Sequence, residues 1–142
     1  TAWQSRTAKD RVEAHGKNLF YFFGEDQADH ELDVVVVHIH FGMSGRFRLH
    51  RPPGPEPGVN TRLVLAERSV SAHLSAMTCK HGGMELYEKK RAEIGTDPLR
   101  EDAESERFWQ KLQSTSRSIG LVIMDQSAIA GVGNIYRAEI LF

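Results

Sequence analysis

Near residues 78–84 the apolar pattern of this chain changes period, and that change confines the fold to strands first and helices after. Side chains alternate between the two faces of a strand, whereas on a helix one face recurs every 3.6 residues. Upstream, residues 18–23 are rich in aromatics, and residues 33–40 are rich in β-branched side chains and end in the alternation His38-Ile39-His40. Phe47 and Leu49 alternate with Arg46, Arg48 and His50, and residues 62–66 and 69–74 have the composition of two further strands. A polar hairpin loop is expected over residues 24–31 and a tight turn at Glu67-Arg68. Residues 51–58 hold four prolines, which cannot donate to a central ladder, and therefore read as a loop. Downstream, residues 84–94 are helix-like and Gly95-Thr96-Asp97-Pro98 breaks them. Phe108 and Leu112 share one face of a helix near residues 104–113, and Ser118 is placed to cap a helix over residues 118–124. A turn at Gly131-Val132-Gly133-Asn134 leads into a last helix over residues 135–142. The fold class is α+β: an antiparallel β-sandwich over residues 1–80, a linker over 81–98 and a helical domain over 99–142.

The 142 residues carry a net charge of -1, which by itself gives no reason to expect nucleic acid. The charge is unevenly spread. Residues 24–33 hold five acids and no Lys or Arg, and residues 85–106 hold eight acids against four bases. Residues 34–54 hold Arg46, Arg48 and Arg51 with His38, His40 and His50, and no acid. Such a stripe is either a solvated strand face or a surface that meets phosphate. No apolar run approaches the roughly 18 residues of a membrane span. Trp3-Gln4-Ser5-Arg6 is too polar for the apolar core of a secretory signal. A single cysteine, Cys79, permits neither an internal disulfide nor a four-cysteine zinc site. A reducing interior is expected: cytoplasm or nucleoid, or in a eukaryote the nucleus or an organelle, and not secretion.

The most informative stretch runs from Asp125 to Phe142, where a turn with two glycines separates helical segments. Glycine permits positive φ and close approach of another backbone. Asn134 opens the last helix, where free N–H groups and the helix dipole favour an anion. An Asn there either caps the helix or holds a phosphate. As a dinucleotide fingerprint the Gly-x-Gly fails, having no third glycine and no preceding strand.

Gly-Val-Gly-Asn-Ile-Tyr followed by Glu-Ile-Leu-Phe closely resembles the helix–two-turns–helix motif of the formamidopyrimidine-DNA glycosylase/endonuclease VIII family. Collinear matches continue upstream in Ala14-His15-Gly16-Lys17-Asn18-Leu19-Phe20, in His38-Ile39-His40-Phe41-Gly42-Met43-Ser44-Gly45, in residues 74–79 and in Gly95-Thr96-Asp97-Pro98-Leu99. The resemblance implies a base-excision glycosylase with abasic-site lyase activity, acting on double-stranded DNA with an oxidised base or an abasic site. It also implies a monomer with no membrane partner. Lys17 matches the hairpin lysine that holds a phosphate and assists strand cleavage; on residue type alone it is a surface lysine of an edge strand. His40 matches a phosphate-contacting histidine, beside Gly42 of the turn; otherwise it is a packed imidazole. Met43 matches the wedge that enters the gap left by an everted base, or else is a core methionine. Asn134 matches the motif's phosphate-binding Asn. Arg137 either reaches DNA or pairs with Glu139 on the same helix.

The family's nucleophile is the amine of an N-terminal Pro, with an adjacent Glu as acid/base partner. Thr1-Ala2 stands here instead, and both ends of the chain are expected to be cut. No cofactor is expected within these residues, and a zinc ion is expected in a C-terminal finger of the parent protein. The Arg and Phe that fill the void in formamidopyrimidine-type enzymes have no counterpart near residues 69–77, which tilts the expected substrate toward the oxidised pyrimidines of the endonuclease VIII branch. The competing expectations are a catalytically inactive DNA-binding fragment and a non-enzymatic β-sandwich with helices.

Overall fold

Among the described residues, eight strands precede four helices. The computed structural model describes residues 2–3, 11–24 and 34–142, so the loop expected over residues 24–31 falls, from residue 25 on, outside them. Thr1–Glu13 with Asn18–Tyr87 form one compact unit, and Ala14–Lys17 with Glu88–Phe142 form a second.

The first unit is a sandwich of two four-stranded sheets. Strands β1 (Ala2–Trp3), β6 (Leu63–Ala66), β7 (Ser71–Ser75) and β5 (Arg46–His50) form one in that order. Strands β2 (Arg11–His15), β3 (Asn18–Phe23), β4 (Val35–His40) and β8 (Thr78–Gly82) form the other. The pairings of β3, β4, β5, β6, β7 and β8 are antiparallel, and β1 adds to β6 in parallel. Val37 and Ile39 of one sheet meet Leu63 and Leu74 of the other in a buried cluster, bordered by Leu19, Tyr21, Phe41 and Cys79. The β-branched run of β4 does not alternate with polar residues because both of its faces are covered. On the second face Phe20 stacks on His38 at 4.9 Å and meets the Tyr87 ring edge-on at 5.1 Å. Buried His38 is satisfied through Nε2, 2.9 Å from the Asn18 Oδ1 acceptor.

Strand β8 was not among the strands expected from the residue pattern, the last of which covers residues 69–74. It pairs with β4 from Val36↔Gly82 to His40↔Thr78. Its residues are small or polar, so it is held by ladder hydrogen bonds with little apolar signal. The turn between β6 and β7 lies one residue further on than Glu67-Arg68: the register Ala66↔Ser71 continues to Glu67, whose N–H donates to Val70 O at 2.8 Å, leaving Arg68-Ser69 at the tip.

The segment expected as a linker carries the end of β8 and helix α1 (Met84–Glu93). Beyond it the second unit holds α2 (Ser105–Gln113), the single turn α3 (Ile119–Val122) and α4 (Asn134–Leu141). Its buried apolar side chains are Ile94, Val122, Ile123, Ala128, Ala130 and Val132, joined by the buried polar residues His15 and Thr96. Small residues here let loop backbones lie against one another: Gly95 N–H donates to Gln126 O at 2.9 Å and Ala130 N–H to Thr96 O at 2.8 Å. Ser118 stands in the cap position of α3 with extended backbone, but its side chain makes no capping bond.

Leu74 is 1% exposed in the centre of the sandwich. Leu74→Ala is expected to cost about 2–5 kcal/mol, lowering the urea midpoint with an unchanged m-value. A loss well under about 1 kcal/mol would show that the two sheets do not close on this side chain.

Candidate nucleic-acid interface

Within the second unit, the tip of the β2–β3 hairpin lies against the turn that precedes α4. Gly16 has φ +57, and a Cβ there would stand 2.6 Å from the Gly131 backbone N and 2.7 Å from the Ala130 Cβ, so only glycine fits. Gly16 N–H donates to Asp97 Oδ2 at 2.6 Å, and the other Asp97 oxygen accepts from Leu99 N–H at 3.0 Å. Arg100 donates to Ala14 O at 3.2 Å. These contacts fix the hairpin tip, and the next residue, Lys17, places its ammonium 2.9 Å from Val132 O. An ammonium has three donors, so two remain for a ligand.

Gln126 holds the same turn from behind. Its Oε1 accepts from Gly131 N–H at 3.0 Å, and its Nε2 donates to Val132 O at 2.8 Å and Met124 O at 3.1 Å. Asp125 anchors the preceding loop, accepting from the Ser127 hydroxyl at 2.6 Å, from Ser127 N–H at 3.0 Å and from Arg117 at 2.9 Å. Those bonds, led by the Ser127 hydroxyl, pull the carboxyl down from the ordinary 3.8 to about 2.

Helix α4 begins without a side-chain cap. Its N-cap is Gly133, in extended conformation, and the first intrahelical bond runs from Arg137 N–H to Gly133 O at 2.8 Å. Asn134 is therefore the first helical residue and does not cap; its side chain is exposed and makes no hydrogen bond among the described residues. Free N–H groups, an amide side chain and a lysine ammonium thus share one short stretch of surface, an arrangement suited to an anion. Arg137 is half-buried and forms no ion pair with Glu139 among the described residues. Two residues apart on a helix, their side chains point in different directions.

His40, Gly42 and Met43 belong to the first unit. Gly42 N–H donates to His40 Nδ1 at 3.1 Å, which leaves the proton of the neutral ring on Nε2 as a donor. Phe41 O accepts from Gly45 N–H at 3.1 Å and from Met77 N–H at 3.3 Å, tying the β4–β5 turn to the β7–β8 turn. Gly42, at φ +67, lies against Met77, whose Cε would be 2.7 Å from an added Cβ. Met43 is fully exposed, so the core reading of this residue fails, and Met77 is 72% exposed. Met77 was not singled out in the residue pattern, because its turn is defined only by the unexpected strand β8. Cys79 is half-buried, and burial raises its thiol pKa against the opposing pull of Arg62, which suits an inert side chain.

A β-sandwich followed by helices whose last turn carries Gly-Val-Gly-Asn defines a helix–two-turns–helix protein. Residues 94–142 match the formamidopyrimidine-DNA glycosylase H2TH domain. Over 137 residues the chain is 35% identical to Endonuclease 8 1 of Mycobacterium tuberculosis, covering 93% of this chain and 48% of that protein. Over 117 residues it is 30% identical to the formamidopyrimidine-DNA glycosylase of Bacillus cereus, covering 77% and 41%. The Lactococcus lactis Fpg, solved in complex with DNA containing an abasic site, shares the fold with a TM-score of 0.70, 24% identity, and coverage of 92% of this chain and 47% of that one. The chain spans about half the length of the curated relatives it matches. The chain thus carries a formamidopyrimidine-DNA glycosylase H2TH domain over residues 94–142 and is similar along most of its length to endonuclease 8 and formamidopyrimidine-DNA glycosylase sequences.

Because the folded pKa of Asp125 is depressed, the unfolded chain binds the proton more tightly. Stability from this group is complete above about pH 4 and is lost as pH falls through about 2. The urea midpoint of the wild type should therefore fall more steeply across that window than that of Asp125→Asn; equal slopes would remove the assigned bonds.

Proposed function

We propose that the protein is a bifunctional DNA glycosylase and abasic-site lyase that removes oxidised bases from double-stranded DNA, with the pyrimidine preference of the endonuclease VIII branch. The observation that carries this reading is Lys17, whose ammonium lies 2.9 Å from Val132 O, directly before the uncapped start of α4. In this reading a backbone phosphate of the damaged strand bridges Lys17, Asn134 and the free N–H groups of that helix. His40 supplies a further phosphate donor through Nε2. The higher identity to Endonuclease 8 1, 35% against 30% for a formamidopyrimidine-DNA glycosylase, supports the branch.

The chemistry follows from the position of the target bond. C1′ of a stacked nucleotide is out of reach, so the base is flipped out, at a cost of a few kcal/mol. Met43 is an exposed thioether side chain on a turn and fits the vacated stack. In the family's reaction a prolyl amine attacks C1′, the base departs, and the resulting Schiff base acidifies the sugar protons for elimination of the phosphates. Lys17 holds the phosphate while this occurs. Phosphate contacts set the register of the lesion without reading sequence. Among the described residues there is no group of three or more His, Cys, Asp or Glu suited to a metal ion, and the sequence has one cysteine, so no zinc step is assigned to this chain. No helix among the described residues is long and apolar enough to cross a membrane. The proposed substrate places the protein with chromosomal DNA, in the cytoplasm or nucleoid.

The full-length protein should form a borohydride-trapped covalent adduct with abasic-site DNA; an intact protein that binds this DNA without trapping would instead be a non-catalytic binding protein. Lys17→Ala and Asn134→Ala should weaken binding to damaged and undamaged duplex alike; Lys17→Ala, which removes a cation, should also lower the log–log salt slope by roughly 0.9, whereas Asn134→Ala, which removes a neutral amide, should leave the slope unchanged. Met43→Ala should leave that slope unchanged and slow excision about tenfold, the equivalent of ~1.4 kcal/mol of lost compensation for flipping. Equal salt slopes for the wild type and Lys17→Ala would remove Lys17 from the phosphate contact.

A further inference from the structure

The outer face of the β5-containing sheet is cationic and walled. The register sets Arg46, Arg48 and His50 of β5 opposite Ser75, His73 and Ser71 of β7, while Phe47 and Leu49 point to the other face. The proline-rich segment that follows β5 folds back over one end of this face: a Cβ on Gly54 would lie 3.3 Å from Ser71 Oγ and 3.7 Å from His50 Cβ. The chain then re-enters the sheet where Arg62 N–H donates to Leu74 O at 2.8 Å. Sheet and segment enclose a groove of about 870 Å³. Its lining includes Ser44, Gly45 and Met77, from the turns that carry the exposed methionines.

Three guanidinium groups, Arg46, Arg48 and Arg62, line this groove against a single carboxylate, Glu56. None of the three has an ion-pair partner among the described residues. The His50 and His73 rings add two more polar groups, 4.7 Å apart. Unpaired like charges on one face repel each other, and a polyanion relieves that repulsion. Residues two apart on a strand are spaced by roughly 7 Å, so Arg46 and Arg48 can meet separate phosphates of one strand without competing for the same one.

We infer that this groove is a second phosphate-binding track, holding the sugar–phosphate backbone of duplex DNA that flanks the wedge turn. It lies wholly within the first unit and is separate from the Lys17 and Asn134 cluster. The inference rests on the glycosylase reading for its ligand: if Met43 enters a duplex, the polyanion nearest the neighbouring lining residues Ser44 and Gly45 is that duplex.

The test uses the full-length protein with a long abasic-site-analogue duplex and with one trimmed to the few pairs around the lesion, both followed by fluorescence anisotropy across a salt series. Arg46→Ala combined with Arg48→Ala should lower the salt slope on the long duplex by roughly 1.8, two contacts at about 0.9 each, and leave the slope on the trimmed duplex unchanged. Arg46→Lys with Arg48→Lys should retain the wild-type slope, which separates lost charge from lost folding. Borohydride trapping at saturating DNA should be unaltered in both variants. Wild-type slopes for the alanine variant on both duplexes would overturn the track, as would displacement of polyglutamate alone from the groove with no change in DNA binding. Trapping by the wild type together with an unaltered slope sinks only this inference, whereas an altered slope without trapping sinks only the glycosylase reading.

Discussion

Gly16 and Gly131 allow two backbones to approach more closely than any side chain would permit, and the arrangement of the second unit depends on that approach. A Cβ at Gly16 would stand 2.6 Å from Gly131 N, inside any tolerable contact. With no Cβ, the hairpin tip seats against the turn, Asp97 accepts from Gly16 N–H, and the neighbouring Lys17 reaches Val132 O. Gln126 then uses both ends of its amide on Gly131 and Val132. A half-buried amide satisfied on both sides favours one geometry, because a slip leaves a donor or acceptor unpaired. The position of the lysine is therefore set by backbone packing and not by the flexible lysine side chain.

The first unit solves a different problem with the same economy of means. It must expose a methionine on a turn without letting that turn drift. Phe41 O accepts from Gly45 and from Met77, so one carbonyl joins two turns that each cross from one sheet to the other. His40 Nδ1 accepts from Gly42 N–H and braces the same loop from its start. The exposed apolar side chains are thus mounted on hydrogen-bonded supports that continue into a filled sandwich core.

Much of this was legible in the residues, and the exceptions have physical reasons. Period and punctuation located β3 through β7, the proline loop and the helices, since a buried face imposes a repeat that composition cannot hide. Strand β8 escaped because Thr78, Cys79, Lys80, His81 and Gly82 offer no apolar alternation; its place is set by pairing with β4. Met77 escaped with it. Asn134 was visible at the start of the last helix, yet capping or ligand binding could not be separated until Gly133 was found in the cap position. The Arg137–Glu139 pairing was open on sequence and is closed by helical geometry, which turns residues two apart away from each other. The basic stripe of residues 34–54 read from charge alone as a solvated strand face sooner than as a surface for phosphate; the wall formed by the proline segment is a tertiary feature with no local signature.

The unfilled first turn of α4 has one more consequence. Its N–H groups have neither a side-chain cap nor an earlier turn to bond, so the folded chain presents an acceptor-shaped vacancy that the unfolded chain does not. An anion that occupied that vacancy would bind one state and ignore the other, and by mass action it would raise the melting temperature by an amount that grows with the logarithm of its concentration above the dissociation constant. Recognition and folding would then be coupled at this helix end: the backbone would be completed by the molecule it detains, and its heat resistance would report how tightly that molecule is held.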